Sequence, residues 1–295
     1  MQMSIPITPL LIIGAHKAGT TSLYSALGAH LEIHAPNLKE PGLFTLGNWT
    51  DPHEWSRYSR RWLDAPQGTK RWLDGSTTYG QTIKFPGVAE RLAQGLGAET
   101  KVIFMVRDPL ARIASGYVQL RSEWLRNVAE SPQACMDELV EPTLYATHLR
   151  SYRDVFGRES VLVMSQEEMA ADPVDVMRRT LQFAGLNPSR LDIPRENRMD
   201  TKQLPPSWWH RASSLRAVRG LGARLPVPVR AAGGRAASVV AERLGTPAER
   251  PSITWEDLGG WASRVAAECE EIRRELDPAA PAWPSLDRWR SAVSH

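Results

Sequence analysis

Residues 11–22 read LIIGAHKAGTTS, and how this stretch is parsed decides the fold. An apolar run enters a turn bounded by Gly14 and Gly19 that carries His16 and Lys17, then opens on Thr20, Thr21 and Ser22. A buried strand that ends in a glycine turn and continues as a helix offers backbone N–H groups and the positive end of a helix dipole to an anion. Gly14 and Gly19 permit the tight path, Lys17 supplies a full charge, and the three hydroxyls add donors. The ATPase and GTPase version of such a loop reads GxxxxGK followed by Ser or Thr. Here Thr20 follows Gly19 and the lysine precedes that glycine by two positions. Lys17 would therefore face the bridging oxygen of a phospho-anhydride rather than a terminal phosphate held with Mg2+.

Outward from this turn, short apolar runs at 9–13, 71–73, 101–106 and 160–164 read as buried strands. The segments between them carry helical spacing at 20–30, 88–95, 110–124 and 173–184. Thr20 is the expected N-cap of the first of these helices. In the last, Val174, Met177 and Leu181 are expected to share the buried face. Strands alternating with helices predict an α/β fold, a P-loop-like three-layer sandwich with a central, mostly parallel sheet. Ligands of such sheets bind at the carboxyl ends of the strands. The informative turns are then 14–21, 74–79 and 107–109.

Length and composition bound the reading. The chain has 295 residues, 42% hydrophobic and 23% charged, ordinary for a globular protein with a full-sized core. A net charge of +3 and a pI near 9.0 suit a small anionic ligand and do not call for nucleic acid. Cys135 and Cys269 are too few for a disulfide framework or a cysteine-rich metal site, which points to a reduced cytoplasmic setting. No apolar stretch approaches the ~18 residues of a membrane span, so no integral membrane segment is expected. Residues 211–250 hold eight arginines against Glu242 and Glu249, a basic stretch suited to solvated outer helices or to an anionic surface. Residues 253–276 read as one amphipathic helix, and 277–284 as a proline-rich closing segment.

The second chemical signal is KVIFMVRDPLARIASGY at 101–117. Arg107 ends a buried strand, Asp108 and Pro109 start a helix, and Ser115 lies eight residues beyond Arg107. The planar fork of Arg107 and the Ser115 hydroxyl can converge on a second phosphate. A structural pairing of Arg107 with Asp108 would use the same residues.

LIIGAHKAGTTSLYSAL, KEPGLF at 39–44, DGSTTY at 74–79 and VIFMVRDPLARIASGYVQL together resemble the sulfotransferase family. The similarity is to the branch holding carbohydrate, heparan-type enzymes and bacterial homologues. It spans about residues 9–187, including the Glu167-to-Pro173 segment of the form E-x-x-x-x-D-P, and is loose after about 203. The resemblance implies a single domain over 1–295, with a donor-binding core at about 9–204 and a helical C-terminal segment, acceptor-side or peripheral, at about 205–295. It implies that the first turn (Lys17, Ala18, Gly19, Thr20, Thr21, Ser22) binds the 5′-phosphosulfate of 3′-phosphoadenosine-5′-phosphosulfate (PAPS), and that Arg107 and Ser115 bind the 3′-phosphate. Arg198 and Lys202 would reach the nucleotide from a covering loop, with the 3′,5′-bisphosphate PAP as product.

The implied chemistry is in-line sulfonate transfer to an acceptor hydroxyl. A sulfonate carries less charge than a γ-phosphate, so side-chain cations suffice and no metal is expected. Lys17 stabilises the leaving oxygen, Glu40 is the general base, and Lys39 faces the sulfonate. His16, adjacent to Lys17, is the rival base. Ser76 reads either as a substrate contact or as a helix N-cap, and Phe44 is assigned to the acceptor side. The branch often has an aromatic residue or histidine after KEP, where Gly42 and Leu43 stand here. Trp49, Trp55, Trp62 and Trp72 fall within 24 residues and read as core or as a stacking surface for a flat or sugar acceptor. The Ala- and Arg-rich composition suggests a bacterial enzyme of secondary metabolism acting on a glycoside, lipid or other small molecule. The rival reading, a small-metabolite kinase using ATP and Mg2+, would give Asp74 to the metal and lacks the Walker lysine.

Overall fold

Strand β1 (Thr8–Gly14) runs through the middle of a parallel sheet and is buried along its length except at Thr8. A strand covered on both faces must be apolar throughout, which is why Leu10 to Ile13 show no alternation. The computed structural model describes residues 7–122, 131–188 and 250–293, with the backbone of 203–204 and 246–247. On one side of β1 lies β3 (Arg71–Asp74), edged by β2 (Ile33–His34); on the other lies β4 (Lys101–Val106), edged by β5 (Val161–Ser165). All four pairings are parallel. The expected α/β sandwich is therefore present. The two-residue β2 is too short to leave a periodic signal.

From β1 the chain leaves through α1 (Thr20–Gly28) toward the β2 edge. From β4 it leaves through α5 (Pro109–Ser122) and α7 (Tyr145–Phe156) toward β5. These opposite departures open a crevice at the carboxyl ends of β1 and β4, the place where open α/β sheets hold ligands. The remaining helices of the main body are α2 (Leu43–Leu46), α3 (Pro52–Leu63), α4 (Val88–Leu96), α6 (Met136–Val140), α8 (Gln166–Ala171) and α9 (Pro173–Phe183).

The dense tryptophan region is core. Asp51 caps α3 by accepting from the His53 and Glu54 amides, Pro52 sets its first turn, and its inner face carries Trp55, Tyr58 and Trp62. These rings meet Phe44 and Trp72, with centroids 4.2 Å apart for Trp62–Trp72 and 5.8 Å for Phe44–Tyr58, and Phe44 in turn meets Tyr79. Trp55, Trp62 and Trp72 are thus unavailable as a stacking surface, and Trp49 stacks on Phe44 at 5.9 Å.

Three local expectations need correction. Gly19, not Thr20, is the N-cap of α1, and Thr20 is its first helical residue. In α9 the buried stripe is Val176, Met177, Thr180 and Leu181, while Val174 in the first turn is exposed. The single helix expected over 253–276 is a 3-10 turn (Glu256–Trp261), broken where Gly259 turns left-handed at φ 53, followed by α10 (Ala262–Arg273). A further helix, α11 (Pro284–Val293), follows the proline-rich segment.

Residues 250–293 pack into the main body. The Glu268 carboxylate accepts from the Thr147 amide (2.7 Å) and hydroxyl (2.5 Å), and the Ser285 amide donates to Asp108 Oδ2 at 3.0 Å. Nearby, His148 is buried with Nδ1 accepting from the Thr82 amide (3.3 Å). The ring proton therefore sits on Nε2, which donates to the Glu141 carbonyl at 2.9 Å. Burial lowers the His148 pKa to about 4. Because the folded value lies below the ordinary one, an unfolded chain takes up a proton that the folded chain refuses, and stability is lost as pH falls from about 6.5 toward 4. Between pH 7 and pH 5 the wild type should lose about 2 kcal/mol more than His148→Gln in denaturant unfolding. Parallel pH dependences in the two proteins would refute this.

Candidate active site

The turn after β1 is shaped as an anion cradle. Lys17 at φ 69 and Gly19 at φ 88 are left-handed, with Ala18 between them on the ordinary side, a sequence of kinks that gathers successive amides toward one point. A glycine meets the Gly19 conformation at little cost. Lys17 bears strain of a kind stored at functional sites. With Gly19 as N-cap, α1 has no side-chain cap, so its first amides keep their capacity for an anion. Thr20 is buried, Ser22 half-buried and Thr21 exposed at this helix start.

Arg107 stands at the end of β4, 7% exposed, and its Nη1 donates to the Lys17 carbonyl at 3.2 Å. Burial, then the like charge of Arg250, push its guanidinium below the ordinary arginine range. Two cations gathered at one strand end gain from an anion placed between them. Arg250 arrives from the C-terminal segment and was not foreseen as a partner of Arg107. The turn itself is held from several sides. Tyr145 donates to the Arg107 carbonyl (2.9 Å), and the Asp108 amide donates to Glu167 Oε1 (3.1 Å). Asp108 Oδ1 caps α5 at the Ala111 amide (3.1 Å), and Glu167 Oε2 accepts from Trp283 Nε1 (3.0 Å). Asp108 is therefore engaged as a helix cap and as the anchor of Ser285. The C-terminal segment, expected at the acceptor side or the periphery, backs this turn. Ser115 lies farther along α5 and is fully enclosed.

The Lys39-Glu40 pair sits beside the cradle. Lys39 Nζ donates to Glu40 Oε1 at 2.8 Å and to Thr20 Oγ1 at 3.3 Å, joining the loop to the first residue of α1. Thr77 Oγ1 donates to the other carboxylate oxygen, Glu40 Oε2, at 2.9 Å. Glu40, His16 and Thr77 line one cleft of about 450 Å3, the size of sites that take one small molecule. Its walls include Gln81, Ile83, Lys84, Leu120, Glu141 and Pro142. The two rival bases thus share a cleft, and the structure brings together His16, Lys39, Glu40 and Thr20.

Other expected residues are placed elsewhere. Ser76 is fully buried and does not line the cleft; it stands at the N-cap position of the 3-10 turn Thr77–Gly80, with its hydroxyl engaged by Asp74 and the Gly42 amide instead of a capping bond. Phe44 is 1% exposed within the aromatic core, which removes it from the acceptor side. Arg198 and Lys202 lie outside the described residues. Residues that the sequence reading passed over include Thr77 and Arg112. Arg112 is buried in the cleft wall and donates to the Leu139 carbonyl and, at 3.5 Å, to that of His16. Neither stands out from a solvated hydroxyl or arginine without the fold. The arrangement can hold a phospho-anhydride at the cradle and accept a proton from a hydroxyl in the adjoining cleft. Among the described residues no group of three or more His, Cys, Asp and Glu could hold a metal ion, and no helix is long and apolar enough to cross a membrane.

The family described as Sulfotransferase domain matches residues 8–205. Mouse heparan sulfate glucosamine 3-O-sulfotransferase 6 is 30% identical over 188 residues, which is 60% of this chain and 52% of that protein. The Xenopus laevis bifunctional heparan sulfate N-deacetylase/N-sulfotransferase 1 is 24% identical over 196 residues, 60% of this chain and 22% of that one. The match thus takes in about half the length of the first of these relatives, or less. Among solved structures, a sulfotransferase from Alicyclobacillus acidocaldarius superimposes with a TM-score of 0.56 at 27% identity, covering 66% of this chain and 88% of that one.

Proposed function

The chain belongs to the sulfotransferase family, and from that premise we propose that it transfers a sulfonate group from PAPS to a hydroxyl of a small-molecule or glycoside acceptor. The observation that carries the reading is the contact of Lys39 with both Thr20, at the cradle, and Glu40, in the cleft. It puts a candidate proton acceptor beside the place where an anhydride would be held. The left-handed turn, the uncapped start of α1 and the buried Arg107 fit the two ends of a 3′,5′-phosphorylated nucleotide.

In this reading the amides of residues 19–22, with Thr20 and Thr21, hold the 5′-phosphate, while the Ala18 amide is spent on the Ala15 carbonyl (3.1 Å) and shapes the turn. Arg107, with the charge of Arg250 near it, and Ser115 hold the 3′-phosphate. Lys17 stabilises the oxygen that departs from sulfur, and Lys39 steadies the sulfonate oxygens. Glu40 takes the acceptor proton, a role commonly worth about 10^2- to 10^4-fold in rate. Thr77 orients Glu40 by donating to the oxygen that Lys39 leaves open. The acceptor lies along the cleft, against Ile83, Leu120 and Pro142. Residues 250–293 belong to the same domain, since they secure the Arg107–Pro109 turn.

Calorimetric titration should show tighter binding of PAP than of ATP·Mg2+, and a preference for ATP·Mg2+ would favour a kinase instead. Arg107→Ala should weaken PAP binding by about 1.5–3 kcal/mol through loss of charge-assisted contacts. Equal affinity of the wild type for nucleotides with and without the 3′-phosphate would sink that assignment. With phenols and methyl glycosides as acceptors, Glu40→Gln should lower kcat by about 10^2-fold or more at unchanged PAP affinity, and His16→Asn should lower it far less. The reverse ranking would make His16 the base.

A further inference from the structure

The loop that carries Lys39 and Glu40 lies outside the helices and strands until α2 begins, yet both side chains have defined partners. Its fixity comes from the end of β3. Asp74 there is fully buried and accepts four hydrogen bonds. Oδ1 takes the Ser76 amide (2.9 Å) and hydroxyl (2.6 Å), and Oδ2 takes the Tyr58 (2.8 Å) and Tyr79 (3.1 Å) hydroxyls. A serine has a single hydroxyl proton. Because that of Ser76 is given to Asp74, its oxygen is left as an acceptor, and it receives the Gly42 amide at 3.0 Å. Gly42 is buried and left-handed at φ 63. On the other flank of Glu40, the Gly75 amide donates to the Lys39 carbonyl at 3.0 Å. A Cβ on Gly75 would stand 2.7 Å from the Tyr24 ring and 3.0 Å from Lys39 Cγ, so a glycine here makes room for the Lys39 stem. Residue 77 then reaches Glu40 directly.

We infer that Ser76, oriented by Asp74, is a positioning residue that fixes the Lys39–Gly42 loop against the cradle and so sets where the Glu40 carboxylate stands. The inference rests on Glu40 as the proton acceptor. Hydrogen bonding to a carboxylate sharpens the direction of the Ser76 hydroxyl, since bonds in a chain polarise one another. Displacements of about 1 Å at a reacting group can lower a rate by about 10^2-fold, so the anchor bears on turnover without touching substrate. Asp74 is surrounded by Tyr58 of α3, Tyr79 of the 77–80 turn, Tyr24 of α1 and Tyr152 of α7, all pushed above the ordinary tyrosine range chiefly by burial. The carboxylate itself, raised to about 6 by burial, is the member of this group that changes charge nearest neutrality.

The test compares wild type, Ser76→Ala, Asp74→Asn and Glu40→Gln. Hydrogen exchange at the Gly42 amide is measured with PAP bound. Release of PAP from PAPS is then followed with 4-nitrophenol and methyl glycosides as probe acceptors. Ser76→Ala should raise Gly42 exchange at least tenfold, keep PAP affinity within twofold, and lower kcat ten- to a hundredfold with the donor KM unchanged. Asp74→Asn keeps the side-chain shape and one carbonyl acceptor for Ser76, and should show the same pattern more weakly. Unchanged Gly42 exchange in Ser76→Ala overturns the inference, as does full turnover in Ser76→Ala where Glu40→Gln is inactive. Loss of PAP binding in both Ser76→Ala and Asp74→Asn also overturns it, because these residues would then be framework for the whole site. If Glu40→Gln turns over like wild type, the reading of Glu40 falls instead, and the exchange result still decides whether Ser76 holds the loop.

Discussion

A set of hydrogen bonds joins the two strand ends on which the site is built: Arg107, closing β4, donates to the carbonyl of Lys17 in the turn after β1, the Ala15 amide donates to the Met105 carbonyl, and Arg112 donates to that of His16. The sheet obliges these strands to send their chains in opposite directions, and the crevice lies between the departures. A buried guanidinium adds to what the sheet pairing already holds together there. Burial and the like charge of Arg250 weigh against this cation, Glu167 and Asp108 offset them in part, and a further anion at the site adds to that compensation. One of the bonds that organise the crevice and a bias toward negatively charged ligands are thus properties of one side chain.

Everything that steadies Arg107 comes from distant parts of the chain. Tyr145 of α7 holds its carbonyl, Glu167 holds the next amide, and Ser285 and Trp283 anchor Asp108 and Glu167 in turn. On the opposite flank, Lys39 ties its own loop to Thr20, and the segment after β3 ties that loop to the core. Buried polar groups of this kind are stabilising only when fully satisfied, and Asp74, with four donors on two oxygens, meets that condition.

The sheet was legible in the sequence because β1 and β4 are buried on both faces and show as unbroken apolar runs. The cradle was legible because glycines, a lysine and hydroxyls at a strand-to-helix junction have few other uses. Legibility failed where a residue's partner is remote in sequence. Ser76 and Phe44 look like site residues in a list of motifs, and only the fold shows the hydroxyl turned toward Asp74 and the ring enclosed among aromatics. Arg112 was passed over for the opposite reason, since an arginine five residues after Arg107 on a helix looks solvated until α6 closes over it. The 3-10 break at Gly259 shows the same limit: the glycine was visible, while the helix pattern around it continued.

The bond between Ser285 and Asp108 spans 177 positions of the chain. A polypeptide emerging from the ribosome amino end first has the cradle, the Lys39-Glu40 loop and Arg107 in hand well before it has the residues that brace the Arg107 turn. During synthesis the crevice therefore exists first as an unbraced outline, and its Arg107 end is completed only once Ser285 has been made.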